Sequence, residues 1–127
     1  MARILVVDDE ENIRELLRRI LEPEGYQVSA AHDAHSALAA IIEQSPHVVF
    51  VDVHMPGANG LWLADQIREQ FPTVATVLAT ADQDIPPVES LRRGIIGYLV
   101  KPFQRLDVLR AAQDGVNWSS ALQNLQH

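Results

Sequence analysis

Residues 47–60 read His47-Val48-Val49-Phe50-Val51-Asp52-Val53-His54-Met55-Pro56-Gly57-Ala58-Asn59-Gly60. From Val48 to Val51 every side chain is apolar, so both faces of the extended chain need cover, as in the central strand of a parallel sheet. An acid follows at Asp52, and Pro56, Gly57 and Gly60 turn the chain away from the sheet. A helix is expected next, to about Gln70, with Leu63, Ala64, Ile67 and Phe71 inward before Pro72 breaks it.

The same strand-then-helix unit recurs on both sides. Arg3 to Val7 reads as a first strand, followed by a helix with Ile13, Leu16, Leu17, Ile20 and Leu21 on one stripe and closed by Pro23 and Gly25. A second strand, Tyr26 to Ala30, leads to a helix capped by Asp33, with Ala34, Ala37, Leu38, Ile41 and Ile42 inward and Pro46 as its end. After the central unit come a strand at Val74 to Ala79 and a short helix at Val88 to Arg93, whose start Pro86-Pro87 restricts. The last unit is a strand at Gly97 to Val100 and a helix from about Gln104. That helix either stops at Gly115 or continues through Trp118, Leu122 and Leu125, which share a face. Five alternating units imply one open α/β sandwich, a doubly wound five-stranded parallel sheet with helices on both faces.

Composition agrees. The 127 residues suffice for one domain and not for two; the core is expected at about 2–115, with 116–127 extending the last helix or starting a linker. Apolar residues make up 47% and charged residues 21%, which excludes a disordered or fibrous chain. The longest apolar runs fall far short of the roughly 20 residues that span a bilayer. Met1-Ala2-Arg3-Ile4 enters a strand directly, without a signal-peptide pattern, so a cytoplasmic protein is expected, and the absence of cysteine fits that compartment. Seventeen acidic residues against ten basic ones give a net charge of −7, which argues against nucleic acid as a partner.

Function in such a sheet gathers beyond the carboxyl ends of the strands. Strand one delivers Asp8, Asp9 and Glu10 there, strand three Asp52, strand four Thr80 and strand five Lys101, while strand two exits at Ala31 and His32. Carboxylates so close together repel one another, and a hard divalent cation relieves this, Mg²⁺ in particular where few protein ligands leave waters in place. Oxygen ligands with an ammonium and a hydroxyl, and no glycine-rich loop, suit a single small phosphoryl group. Asp52, anchored by the central strand, is the candidate nucleophile, and the Met55-Pro56 turn can aim a backbone carbonyl at the metal.

Val6-Val7-Asp8-Asp9-Glu10, Asp52-Val53-His54-Met55-Pro56 with Gly60, Thr80-Ala81, and Gly97-Tyr98-Leu99-Val100-Lys101-Pro102-Phe103 together resemble a response-regulator receiver domain of bacterial two-component signalling. The resemblance covers nearly the whole chain. It implies a flavodoxin-like three-layer sandwich with strand order 2-1-3-4-5, and a phosphoacceptor that assists its own Mg²⁺-dependent phosphorylation and dephosphorylation rather than a conventional enzyme. By the same resemblance Asp52 accepts a phosphoryl group from a sensor histidine kinase or phosphotransfer protein. Asp9, Asp52 and the His54 backbone carbonyl would bind Mg²⁺, with Asp8 acting through water; Lys101 would meet the phosphoryl oxygens and Thr80 would hydrogen-bond one of them. Tyr98 is similar to the aromatic that turns inward with that threonine and couples the site to the face of the fourth helix, fifth strand and fifth helix, where an effector domain or a second copy would dock. The Lys101-Pro102 bond resembles the family's cis peptide. His54 and Asp82 occupy positions similar to those that tune phosphoryl lifetime.

Two departures from the family, Pro86-Pro87 and the bulky Ile95 after Gly94, lie near that output face. His32 and His35, three apart with no third ligand nearby, read as surface residues, and Trp62 and Trp118 as packing or interface residues. Rival readings fare worse. An FMN protein needs a hydroxyl- and glycine-rich first loop that Asp8-Asp9-Glu10 would replace with repulsion, and a haloacid-dehalogenase-type phosphatase places its two acids two apart with a cap domain. The remaining alternative is a receiver-like protein-binding scaffold that acts without phosphorylation.

Overall fold

In a computed structural model, residues 1–81 and 94–125 are described. The elements are β1 (Arg3–Val7), α1 (Glu11–Leu21), a 3-10 turn (Glu22–Glu24), β2 (Gln27–Ala31), α2 (Ala34–Gln44), β3 (Val48–Asp52), α3 (Gly60–Gln70), β4 (Ala75–Ala81), β5 (Ile95–Lys101) and α4 (Arg105–Leu125). The helix expected at Val88 to Arg93 lies outside the described residues.

All neighbouring strands pair in parallel, in the order β2-β1-β3-β4-β5. The pleat divides each strand between two cores. Ile4 and Val6 of β1 and Val48 and Phe50 of β3 join Leu17, Ile20 and Leu21 of α1 and Val108, Ala111 and Ala112 of α4. Leu5, Val7, Val49 and Val51 face the other way, toward Ala34, Ala37 and Ile41 of α2 and Leu63, Ala64 and Ile67 of α3. Two hydrophobic layers around one sheet are what the uninterrupted apolar strands require.

The expected cap of α2 and stop after α1 are present, and α3 has a cap not expected from the sequence. Asp33 caps α2, its Oδ1 accepting from Ser36 N at 2.7 Å, and Asn59 caps α3, accepting from Trp62 N at 2.9 Å. Gly25 ends the turn after α1 at φ 94°. Two expected stripe members are corrected: Leu16 is 39% and Ile42 70% exposed, so the buried stripes of α1 and α2 are narrower than the sequence spacing suggests.

Strand ends also differ from the apolar runs. β3 continues through Asp52, β4 through Ala81 and β5 through Lys101, because backbone pairing persists past the last apolar residue of each run, with Asp52 opposite Ala79, Thr80 opposite Val100 and Ala81 opposite Lys101. Asp52, Thr80 and Lys101 are therefore strand residues, held more rigidly than loop positions would hold them.

Gly115 does not end the last helix. It lies in the interior of α4 against β3, where a β-carbon would come within 2.7 and 2.9 Å of the two γ-methyls of Val48. Farther along, Ser119 is buried and its Oγ donates to Thr73 O at 2.6 Å, which ties the extended helix to the start of β4. Alanine at a helix interior ordinarily gains about 1 kcal/mol over glycine, whereas overpacking of this kind costs about 1–3 kcal/mol. Gly115→Ala is thus expected to destabilise the protein by about 1 kcal/mol in urea unfolding, the reverse of the propensity effect. No helix among the described residues is long and apolar enough to cross a membrane.

Candidate functional site

At the carboxyl end of the sheet, Asp8 stands just past β1 and is 2% exposed. Its backbone N–H donates to Ala31 O at 3.2 Å, extending the contact with β2. Its carboxylate accepts from Glu10 N at Oδ1 (2.9 Å) and from Lys101 Nζ at Oδ2 (3.0 Å). Asp52, 5% exposed at the end of β3, accepts from His54 N at Oδ1 (3.2 Å), and its Oδ2 lies 3.6 Å from the same ammonium. Lys101 thus sits between two buried carboxylates delivered by different strands.

The backbone after Asp52 is equally constrained. Val53 N donates to Ala79 O at 2.9 Å and Gly60 N donates to Val53 O at 3.0 Å, folding the loop back on itself. A β-carbon at Gly60 would collide with Asp52 O and approach Asp52 C and Val53 Cα to 2.9 Å. Glycine is required there by the close approach of the start of α3 to the acid.

Asp9 and Glu10 are exposed at the rim, and one carboxyl oxygen from each of Asp8, Asp9 and Glu10 lies within 4.8 Å of the others. Glu10, singled out in the sequence only as part of the acidic rim, therefore belongs to the cluster, placed there as the residue before α1. Burial, together with the charge of Asp8, raises the Asp52 pKa to about 6 against the opposing pull of Lys101 and the His54 N–H. For Lys101, burial acts to lower the pKa, but the hydrogen bond to Asp8 and the charges of Asp8, Asp52 and Glu10 outweigh it, and the net shift is upward.

Thr80 is fully buried at the end of β4, and its Oγ1 donates to Ala81 O at 3.2 Å. Tyr98 packs on the α2–α3 side of the sheet, and its hydroxyl is buried with no hydrogen-bond partner among the described residues. His54 is exposed, and its backbone N–H is the donor to Asp52 Oδ1. The Lys101-Pro102 peptide is cis, as the resemblance implied. His32 pairs with Asp33 (3.2 Å) and the His35 ring tilts against Trp62 (centroids 5.3 Å apart), so each has a surface partner, and neither belongs to the acidic cluster. Asp82 lies outside the described residues.

With this geometry in place, relatives are informative. Residues 4–113 match the response regulator receiver domain family. The receiver domain of NtrX from Brucella abortus is 38% identical, with a TM-score of 0.84 over 90% of this chain and 98% of that one. NtrX from Brucella abortus in complex with ADP is 37% identical with a TM-score of 0.90; 99% of this chain is covered, which spans 30% of that longer chain. A response regulator receiver domain protein from Clostridium thermocellum is 29% identical with a TM-score of 0.88, over 96% of this chain and 99% of that one. A parallel sheet of order 2-1-3-4-5 with an acidic rim, matched along most of its length by these sequences and structures, places the chain in the response regulator receiver domain family of two-component systems.

Proposed function

We propose that the protein is a phosphorylation-controlled switch in which Asp52 accepts a phosphoryl group from a sensor histidine kinase or phosphotransfer protein. The observation that carries this reading is the buried Asp52 carboxylate set 3.6 Å from an ammonium that also binds Asp8. With a pKa of about 6, Asp52 is mostly ionised at neutral pH and available as a nucleophile. Its carboxylate oxygen attacks phosphorus as the phosphorus–nitrogen bond of the donor breaks, the electron pair leaving with the imidazole. Lys101 then exchanges carboxylate for phosphoryl oxygens, an interaction strengthened by a new dianion in a partly desolvated pocket.

The donor set fits Mg²⁺: it consists of oxygen alone, with Asp8, Asp9 and Glu10 clustered at the rim and Asp52 joined to Asp8 through the ammonium of Lys101, which can offset only part of this charge. Asp9, Asp52 and the His54 carbonyl would hold the ion, Asp8 would act through water, and Glu10 adds to the local negative charge. When bound, Mg²⁺ neutralises charge between the acceptor and the incoming phosphoryl group.

Thr80 would hydrogen-bond a phosphoryl oxygen from the end of β4. Tyr98 lies on the neighbouring strand, opposite Leu78, and its unsatisfied buried hydroxyl supports a second arrangement in which that group finds a partner. Phosphorylation would then shift a pre-existing equilibrium by a few kcal/mol toward the state that an effector domain or second copy recognises at the fourth helix, fifth strand and fifth helix of the family.

The test is intact-mass measurement after incubation with a small phosphodonor. A gain of one phosphoryl group is expected with Mg²⁺, lost on chelation and in Asp52→Asn. No gain under any condition would favour the phosphorylation-independent scaffold.

A further inference from the structure

Asp9 is exposed and, among the described residues, makes none of the contacts that fix Asp8, so its direction depends on the backbone on either side of it. That backbone has an unusual tether. Asp8 follows Val7, the last paired residue of β1; its N–H still reaches Ala31 O of β2, and its carbonyl oxygen, past the sheet, accepts a 2.7 Å hydrogen bond from the Arg14 guanidinium. Arg14 stands one turn into α1, where its own N–H donates to Glu10 O at 3.2 Å. The residue thus holds both ends of the segment Asp8-Asp9-Glu10, Glu10 through its backbone and Asp8 through its side chain. A charge-assisted bond of this length is among the stronger kinds available to a backbone carbonyl. Among the described residues the guanidinium is not ion-paired with Asp9 or Glu10, so it leaves those two carboxylates to a cation while Asp8 keeps its bonds to Glu10 N and Lys101.

We propose that Arg14 is a positioning residue for the cation site: by clamping the Asp8 carbonyl it fixes the Asp8–Asp9 peptide and so aims Asp9 at the bound ion. The inference rests on the metal-dependent reading above. It acts against a simple electrostatic expectation, since a nearby positive charge by itself weakens binding of a divalent cation.

That opposition makes the test decisive. Mg²⁺ binding would be measured calorimetrically on the unphosphorylated protein, well below its unfolding temperature, for the wild type, Arg14→Met and Arg14→Lys. Groups that orient metal ligands typically contribute about 10–100-fold to affinity. Arg14→Met is therefore expected to weaken Mg²⁺ binding roughly 10-fold, with Arg14→Lys, which keeps a charged donor, recovering a substantial part. Equal or tighter binding in Arg14→Met would overturn the proposal, because it would leave only the charge effect or a role confined to fold stability. Absence of binding in the wild type would instead overturn the metal-dependent reading itself, and the Arg14 proposal with it.

Discussion

Gly60→Ala is expected to destabilise the protein by about 3 kcal/mol and to slow phosphoryl uptake at Asp52 by at least about tenfold. The added methyl would strike Asp52 O and crowd Asp52 C and Val53 Cα at 2.9 Å, all backbone atoms of a central strand and its exit, so no side-chain rotation relieves the contact. Relief demands moving α3 away or bending the end of β3. The first breaks the Gly60 N to Val53 O bond of 3.0 Å and strains the Asn59 cap; the second shifts the acceptor itself. Overpacking costs about 1–3 kcal/mol and loss of a buried hydrogen bond about 1–3 kcal/mol, against at most about 1 kcal/mol of helix propensity gained by alanine. Urea unfolding together with the rate of mass gain from a small phosphodonor checks both halves. A variant with unchanged stability and rate would show that the loop after Asp52 tolerates displacement.

The second large effect has the opposite sign. Asp52 ionises in the native state only near pH 6, compared with about 4 for an unperturbed aspartate, because burial and the Asp8 charge penalise its anion. Between those values the folded protein binds more protons than the unfolded chain, so the contribution of this group to stability is greatest at low pH, falls as pH rises through 4 to 6, and stays low above that. Two pH units correspond to about 2.7 kcal/mol as an upper bound, with the opposing attraction of Lys101 at 3.6 Å already contained in the shift; an amide nitrogen in place of a carboxylate oxygen beside that ammonium gives back part of the gain. In metal-free buffer at pH 7.5, Asp52→Asn is expected to be more stable than the wild type by about 1–2 kcal/mol, and the difference should vanish near pH 4. Saturating Mg²⁺ should narrow or reverse the gap by stabilising the wild type selectively. Paired urea titrations at the two pH values, with and without the ion, measure this directly. A less stable Asp52→Asn at pH 7.5 without metal would contradict the strained acidic pocket.

Much of the fold and of the acidic site is legible in the amino-acid sequence, because chemistry and architecture share one signal. An apolar strand with no polar alternation must be buried on both sides, and the residue that ends it must emerge at the functional rim; Val48 to Val51 followed by Asp52 states both facts at once. The same logic places Asp8 and Lys101 at one rim from residues 93 apart in sequence. What sequence spacing cannot supply is the distance between elements. Gly115 carries the chemical signature of a helix end, and only the closeness of α4 to Val48 reveals it as a packing contact. Arg14 looks like an ordinary polar residue of α1, and its bond to the Asp8 carbonyl depends on the angle at which that helix leaves β1. Leu16 and Ile42 fit the helical period but lie at the edge of each buried stripe, where the sheet no longer covers them.

The central claim is that Asp52, and no other carboxylate of the rim, carries the phosphorus. An aspartyl phosphate is an acyl phosphate and is reduced by borohydride, which converts the modified side chain to that of homoserine while unmodified carboxylates are untouched. Peptide mapping of the Mg²⁺-phosphorylated protein after such reduction should find the change at position 52 alone; finding it at position 8, 9 or 10, or finding phosphate on a residue other than a carboxylate, would contradict the account.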